Sequence, residues 1–396
     1  MSGLLPVEEA QARLLALRAP LAAETLALAD AYGRYLTADV LALRDQPAAP
    51  LSAMDGYAIR FDDLPGPWTV TGELAAGAIP DRSVGAGEAI RIFTGALVPP
   101  GADTVVVQED VARDGDRLTL TREGPGSRGR HIRARAADFA AGDVLLSAGT
   151  RLSPGALATA AMSGAGTIAV GARPRVAILT TGDELVPPGQ PLAPGRIPDS
   201  NSIMLAAMLA GDVADAVRPV HMGDDRSTIA RALKDLAAHH DVIVTVGGAS
   251  VGDHDHIRGA LGDAGGQLDF WKIAMKPGKP LIAGTLGDAI LLGLPGNPSS
   301  AFVTATLFLL PLVRHLAGAR APLPPVQRAP LAAPLDAGGT RRDYLRARVE
   351  RGRLTPIIGQ ESGRTLPLAS ANALLIRDID APARGAGEVA DYIAIA

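Results

Sequence analysis

The chain has 396 residues, 47% of them hydrophobic and 20% charged, with a formal net charge of −4 and a pI near 6. That length exceeds what one hydrophobic core usually serves, so roughly two to four domains are expected. No Lys/Arg block supplies the basic footprint of nonspecific nucleic-acid binding, and the absence of cysteine excludes disulfides, thiolate metal sites, iron–sulfur clusters and a cysteine nucleophile.

The N-terminal stretch MSGLLPVEEAQARLLALRAP carries Glu8–Glu9 where a signal peptide would be basic. Pro6 and the two acids suit the first turn of a helix, with Val7, Ala10, Leu14 and Leu17 along one face. Residues 1–44 read as helical, stopped by Pro47 and Pro50. Residues 45–137 read as strands separated by Gly/Pro turns, which predicts a compact β-rich domain. LSPGALATAAMSGAGTIAV (152–170) reads as a short helix returning to the first region, making the β-rich part an insertion. From Arg173 to Ala317 buried strands (RVAILTTG, DVIVTV) alternate with helices (SIMLAAMLAG, DRSTIARALKDLAAH), the pattern of a doubly wound parallel sheet. A proline-rich linker then leads to short strands, RDYLRARVE and ADYIAIA, that suggest a small C-terminal β domain. The longest apolar stretch, AFVTATLFLLPLV (301–313), is well short of the ~20 residues of a membrane span, and the chain reads as cytoplasmic.

Three stretches of the α/β region carry chemistry. VIVTVGGASVGDHDH (242–256) delivers Gly247, Gly248, Ser250 and Gly252 beyond a strand end, where ligands of open α/β sheets bind. Glycines there let backbone N–H groups approach an anion, although neither a Walker A nor a dinucleotide-binding glycine spacing is present. The alternation Asp253, His254, Asp255, His256 offers a second reading as a transition-metal site, but other histidines lie far along the chain, and a phosphate cradle with Asp255 or a neighbour on Mg²⁺ suits the loop better. TTGDEL repeats the plan, with Thr181 and Gly182 beside Asp183 and Glu184; the same residues also suit a plain helix cap. FWKIAMKPGKPL brings Lys272, Lys276 and Lys279 close together on a strand end and a tight loop, a cationic counterpart that is otherwise a solvated turn. In LLGLPGNPSSAF, Asn297 is placed as an N-cap and Pro298 as the first helical residue, leaving free N–H groups for an anion; PDSNS (198–202) is a similar cap. Local physics reads SAMDGYAIR as an Asp55–Gly56 turn and RIFTGALVPPGAD as a strand and a Pro-rich loop, and no more.

Together SAMDGYAIR, RIFTGALVPPGAD, TTGDEL, PDSNS, GGASVGDHD, WKIAMKPGKP and GLPGNPSSA resemble, in order and across the whole chain, the molybdopterin molybdenumtransferases: the MoeA proteins and gephyrin E domains. The resemblance implies a multidomain α/β plus β fold. Residues 1–44 and 138–172 would form a helical linker and dimerisation domain, 45–137 a β-rich inserted domain, 173–317 a MoaB-like α/β molybdopterin-binding domain and 318–396 a C-terminal β domain. It implies a homodimer in which Asp55 and Thr94 complete a site built on the partner's glycine loops. The implied reaction inserts molybdate into adenylylated molybdopterin with release of AMP. Catalytic roles would fall to Asp55, Thr94, Glu184, Asp224 and Asp255, with Asp224 and Asp255 as Mg²⁺ ligands. Substrate binding would fall to Thr181, Gly182, Asp183, Ser200, the four loop residues from Gly247 to Gly252, Lys272, and Pro295, Gly296, Asn297 and Pro298. Lys276, Lys279, Ser300, Arg346 and Ser362 would surround molybdate, as suits cations and hydroxyls facing a dianion. A transient contact with the separate molybdopterin adenylyltransferase is also implied. One departure is Leu366–Pro367, where relatives commonly carry a serine pair. Two other readings are an adenylyltransferase, which would leave everything outside 173–317 idle, and a non-catalytic scaffold, for which no partner groove is marked.

Overall fold

The computed structural model describes residues 4–216, 219–247 and 256–395. The fold is a multidomain α/β plus β architecture, and the α/β part positions most of the candidate residues. Its seven-stranded sheet is centred on Val242–Val246, buried along its whole length. Arg175–Thr181 and Ala289–Leu294 flank it, both parallel to it. Alternate side chains pack to opposite faces, as the two-residue strand period dictates. Val176, Ile178, Val242 and Val244 face α1 (Val7–Ala16), α3 (Ser200–Ala210) and the helix Pro298–Leu316. Leu179 and Ile243 face α4 (Arg226–Ala237) and α5 (His256–Asp263).

The sheet is mixed, where the sequence pattern predicts a wholly parallel one. Gln267–Lys272 and Pro280–Leu286 run antiparallel at one edge. Only Gly287 and Asp288 separate Pro280–Leu286 from Ala289–Leu294, and Gly287 has φ +57°. So short a link closes a hairpin and leaves no room for a crossover.

The Pro298–Leu316 helix has the length and apolarity of a membrane span, but 78% of it is buried inside the protein. It is the central core helix of the α/β part, with Phe308, Leu309 and Leu312 fully enclosed. α1 packs against it, and Gln11 Nε2 donates to Leu307 O at 2.9 Å.

The α-helix in residues 1–44 stops at Ala16, short of the expectation for that segment, and only a single 3₁₀ turn, Leu28–Asp30, follows. Pro20 interrupts the periodicity, and Ala23–Ala27 forms an antiparallel strand with Thr167–Gly171. Val40–Leu41 likewise pairs Val144–Leu146 beside α2 (Pro154–Ser163), so two segments distant in sequence form one small unit. Strand partners contributed from far along the chain override the local alanine-rich preference for helix. Between these segments a six-stranded sheet places Gly56–Ile59 between Glu88–Ile92 and Thr104–Val107.

The C-terminal six-stranded sheet is led by Arg342–Glu350, Ala373–Arg377 and Val389–Ala394. At one edge Met275–Lys276 joins it, parallel to Arg342–Asp343. The lysine-bearing segment is thereby shared between the α/β sheet, through Lys272, and the C-terminal sheet, through Lys276.

Truncating Phe308 to Ala should cost about 3–5 kcal/mol, because a fully enclosed ring leaves a cavity in a core shared by three helices and the sheet. Urea unfolding of Phe308→Ala followed by circular dichroism measures this; a loss below about 1 kcal/mol would contradict the packing described.

Candidate functional site

The parallel register aligns the strand ends. Thr180 lies opposite both His221 and Val246, and Val246 opposite Leu294, so Gly182, Gly223, Gly247 and Pro295 leave the sheet along one edge. Close packing makes glycine necessary at Gly247: its φ is +95°, and a Cβ there would lie 2.5 Å from Thr181 O. Gly296 approaches the same glycine, with a Cβ position 3.7 Å from Gly247 Cα.

Side chains then lock the tips. Asp199 caps α3, its Oδ1 accepting from Ser202 N at 3.0 Å, while its Oδ2 accepts from Thr180 Oγ1 at 3.0 Å. Asn201 Nδ2 donates to Gly296 O at 2.6 Å. Two buried oxygens at this edge, Thr181 Oγ1 and Asn201 Oδ1, have no hydrogen-bond partner among the described residues. Asp183 and Asp224 hold each other's loops, each backbone N–H donating to the other's carboxylate at 3.3 and 3.4 Å. Gly248, Ser250, Gly252 and Asp255 lie outside the described residues.

A metal fit can be judged from these carboxylates. Among the described residues no group of three metal-ligating side chains forms. Asp183 and Asp224 nevertheless give an all-oxygen pair, and Mg²⁺ is commonly held by one or two carboxylates with the substrate's phosphates supplying the rest. Glu184 is adjacent, its carboxylate turned back over Gly182.

The helix Pro298–Leu316 starts at the same edge. Asn297 takes the N-cap position but makes no capping bond; its Nδ2 donates instead to Ser362 Oγ at 3.0 Å. Ser362 O accepts from Ser299 N at 3.0 Å, and Ser299 Oγ donates to Arg364 O at 2.9 Å. A C-terminal-domain loop thus supplies the helix start, with Ser300 buried in its first turn.

The lysine segment is held from three sides. Leu5 N donates to Lys272 O at 3.1 Å and Ala274 N to Leu5 O at 2.8 Å. Ile273 N donates to Lys279 O at 3.0 Å, closing the turn, and Gly278 packs directly on Thr304. Lys276 and Lys279 are exposed, and Lys276 lines a cleft of about 510 Å³ with Arg346, Gln360, Glu361 and Arg377. Arg346 is only 1% exposed, its Nη2 donating to Gly359 O at 3.3 Å and Glu361 O at 3.2 Å while Nε has no partner. Burial pulls its pKa down against the opposing field of Glu361. On the other flank of the lysine segment, Lys272 Nζ lies 4.2 Å and Arg258 Cζ 4.0 Å from the Trp271 ring centroid.

In the inserted sheet, Asp55 and Thr94 meet across the Gly56–Ile59 and Glu88–Ile92 strand ends. Asp55 Oδ1 accepts from both Thr94 N and Thr94 Oγ1 at 2.8 Å. The backbone donor, then the hydroxyl, hold the Asp55 carboxyl below its ordinary range, with Arg91 adding to the effect. Asp55 is bonded within its own domain, by Thr94 at the carboxylate and by Gln108 N at its backbone oxygen.

Residues 5–164 match the MoeA N-terminal region (domain I and II), 177–315 a probable molybdopterin binding domain, and 328–395 the MoeA C-terminal region (domain IV). The molybdopterin molybdenumtransferase of Staphylococcus aureus strain MSSA476 is 30% identical over 400 residues, covering 98% of this chain and 95% of that protein. The chain belongs to the MoeA family. Molybdopterin molybdenumtransferase 2 of Mycobacterium tuberculosis is 36% identical over 365 residues, covering 89% of this chain and 90% of its own. The crystal structure of the molybdopterin biosynthesis moeA protein from Pyrococcus horikoshii OT3 superposes with a TM-score of 0.84 at 27% identity, covering 99% of this chain and 100% of that one.

Asp199, Asn201 and Arg258 were not among the residues singled out in the sequence. PDSNS did signal a cap, and only the fold shows that its Asp and Asn tie α3 to two strand ends. Nothing in the sequence around Arg258 marks its position over Trp271.

Replacing Thr94 by Val keeps the backbone donor and removes the hydroxyl, so the Asp55 carboxyl should titrate at higher pH than in the parent protein. Carboxyl-detected NMR titration checks this; an unchanged Asp55 titration would show that the hydroxyl does not act on it.

Proposed function

We propose that this chain is a molybdenum insertase, which transfers molybdate into adenylylated molybdopterin and releases AMP. The observation that carries the reading is the alignment of four strand ends beside a helix start that is itself completed by Ser362. Glycine-lined backbone and the first turn of the helix Pro298–Leu316 suit the substrate's pyrophosphate, which needs N–H donors. Thr181, Gly182, Asp183, Ser200, Gly247, Lys272 and the Pro295–Pro298 turn would contact the pterin nucleotide, with Gly248, Ser250 and Gly252 on the adjoining loop. Lys276, Lys279, Ser300, Arg346 and Ser362 would receive molybdate, a tetrahedral dianion matched by a buried guanidinium and two lysines.

The proposed chemistry is hydrolytic. Water adds to one phosphorus of the P–O–P bridge, the bridge oxygen leaves with the other, and AMP departs as the pterin dithiolene takes up molybdenum. Asp55, kept ionised by Thr94, would accept the water's proton from the partner subunit of a homodimer. Asp183 and Asp224, with Glu184 near and Asp255 on the adjoining loop, would hold Mg²⁺, which when bound offsets the pyrophosphate charge. The same reading places the protein in the cytoplasm, receiving its substrate by transient contact with the adenylyltransferase.

Supplying adenylylated molybdopterin, Mg²⁺ and molybdate, then measuring AMP and reconstitution of a molybdoenzyme, tests the function directly. Asp55→Ala should lose at least about 10²-fold in AMP release while sedimenting as an intact dimer. Lys276→Ala should raise the molybdate concentration needed for half-maximal rate, and chelation of divalent metal should suppress the rate. Undiminished turnover by Asp55→Ala, or a monomer with full activity, would refute the assignment.

A further inference from the structure

Arg91 lies on the strand Glu88–Ile92, directly opposite Tyr57 on Gly56–Ile59. A guanidinium in such a place usually finds a carboxylate, yet among the described residues Arg91 forms no ion pair within 4.0 Å. Its donors go elsewhere. Nη1 donates to Gly56 O at 3.2 Å, one residue from Asp55, and Nη2 donates to Gln108 Oε1 at 2.6 Å. Gln108 N in turn donates to Asp55 O at 3.1 Å, and Gln108 Nε2 to Glu109 Oε1 at 3.2 Å. The plane of Arg91 is steadied by two rings, with Cζ 5.1 Å from the Tyr57 centroid and 4.9 Å from that of Phe93, the residue preceding Thr94.

We infer that Arg91 is a positioning residue that fixes the Asp55 turn from behind, through Gly56 on one side and Gln108 on the other. Resting on the role proposed above for Asp55, it adds a residue that never touches substrate. The geometry suits the task. Glycine is required at Gly56, because a Cβ there would run into the Val106 carbonyl, so that position carries no side chain of its own; Ser52 Oγ holds the other end of the turn, donating to Met54 O at 2.6 Å. Arg91 supplies the anchor through the Gly56 carbonyl and the side-chain amide of Gln108, whose backbone N–H bonds Asp55 O, while Thr94 holds the carboxylate from the front. Its charge also reaches Asp55 and favours the ionised form, after the two Thr94 bonds. Among the described residues, the other titratable groups on elements packed against the turn or against Arg91 include Glu73, which is the register partner of Arg91, Tyr57, Glu88, Glu109, Asp110 and His131, whose backbone oxygen accepts from Ala53 N at 2.8 Å. None of these acts on the Asp55 charge as Arg91 does.

The test compares Arg91→Met, which keeps the stacked length without charge or donors, with Arg91→Lys, which keeps the charge but not the fork. Both are read as molybdate-dependent AMP release across pH, with the thermal midpoint as the folding control. Arg91→Met should lower kcat on the order of 10²-fold, with a smaller change in KM for the adenylylated pterin, because a displaced catalytic group costs rate more than binding. Its acid limb should move to higher pH, since losing a nearby positive charge lets the Asp55 pKa rise. Arg91→Lys should return the limb toward the parent position while recovering kcat only in part. A folded Arg91→Met with parental kcat and an unmoved limb would overturn the inference. Should Arg91→Met fail to fold, parental kcat in Arg91→Lys overturns it and a lowered kcat at an unchanged thermal midpoint supports it. Asp55→Ala separates the two levels: full AMP release there sinks the role of Asp55 itself, whereas an inactive Asp55→Ala beside a fully active Arg91→Met sinks only the role of Arg91.

Discussion

The structure depends above all on the parallel register of its buried central strands. Val242–Val246 is apolar on both faces and enclosed throughout, so sliding it by one residue would exchange the sets of side chains facing two different helical layers. That penalty holds Thr181, Met222, Val246 and Leu294 near one line, and the loops that follow inherit the alignment. Convergence of glycines and carboxylates at one edge is thus a by-product of core packing. Thr180–Asp199 and Asn201–Gly296 then join separate loops into one surface.

A second constraint concerns the lysines. Three ammonium groups in eight residues repel one another, and a free turn would splay them into water. Here the segment is pinned by Leu5, closed on itself through Ile273 and Lys279, and added as an edge strand to the C-terminal sheet. Arg342, paired to that edge, also reaches Glu8 of α1 and Asp378, tying the N-terminal segment to the same joint. The anion recognition proposed for these lysines would gain from this arrangement, because much of the ordering entropy of the lysine-bearing backbone is met by the fold before any ligand arrives.

The inserted sheet works on different terms. Its Asp55 is only partly buried, and the hydrogen bonds from Thr94 outweigh the opposing effect of desolvation on its carboxyl. Stiffness comes from the sheet behind it, where Gly56 lies against Val106 and Arg91 stacks between aromatic rings. A carboxylate carried on a rigid edge and still reached by solvent is suited to acting on a surface brought to it.

Sequence alone determined the buried strands, the PDSNS cap and the helix after it, the helix from Arg226, the glycine-rich strand ends and the lysine turn, because each is written in local periodicity or in Gly and Pro placement. The ordered series of short motifs also sufficed to mark the MoeA family. It misread residues 23–27 as helix and the outer α/β strands as parallel, since strand pairing is decided by partners far along the chain. Only the tertiary structure showed that Asn297 bonds to Ser362 instead of capping its own helix, that Arg346 is buried beside the lysine cleft, and that Asp199 and Asn201 bind the strand tips together. Those contacts join residues whose separation in sequence carries no periodic signal, so they arise from how layers pack and not from any one segment's preference.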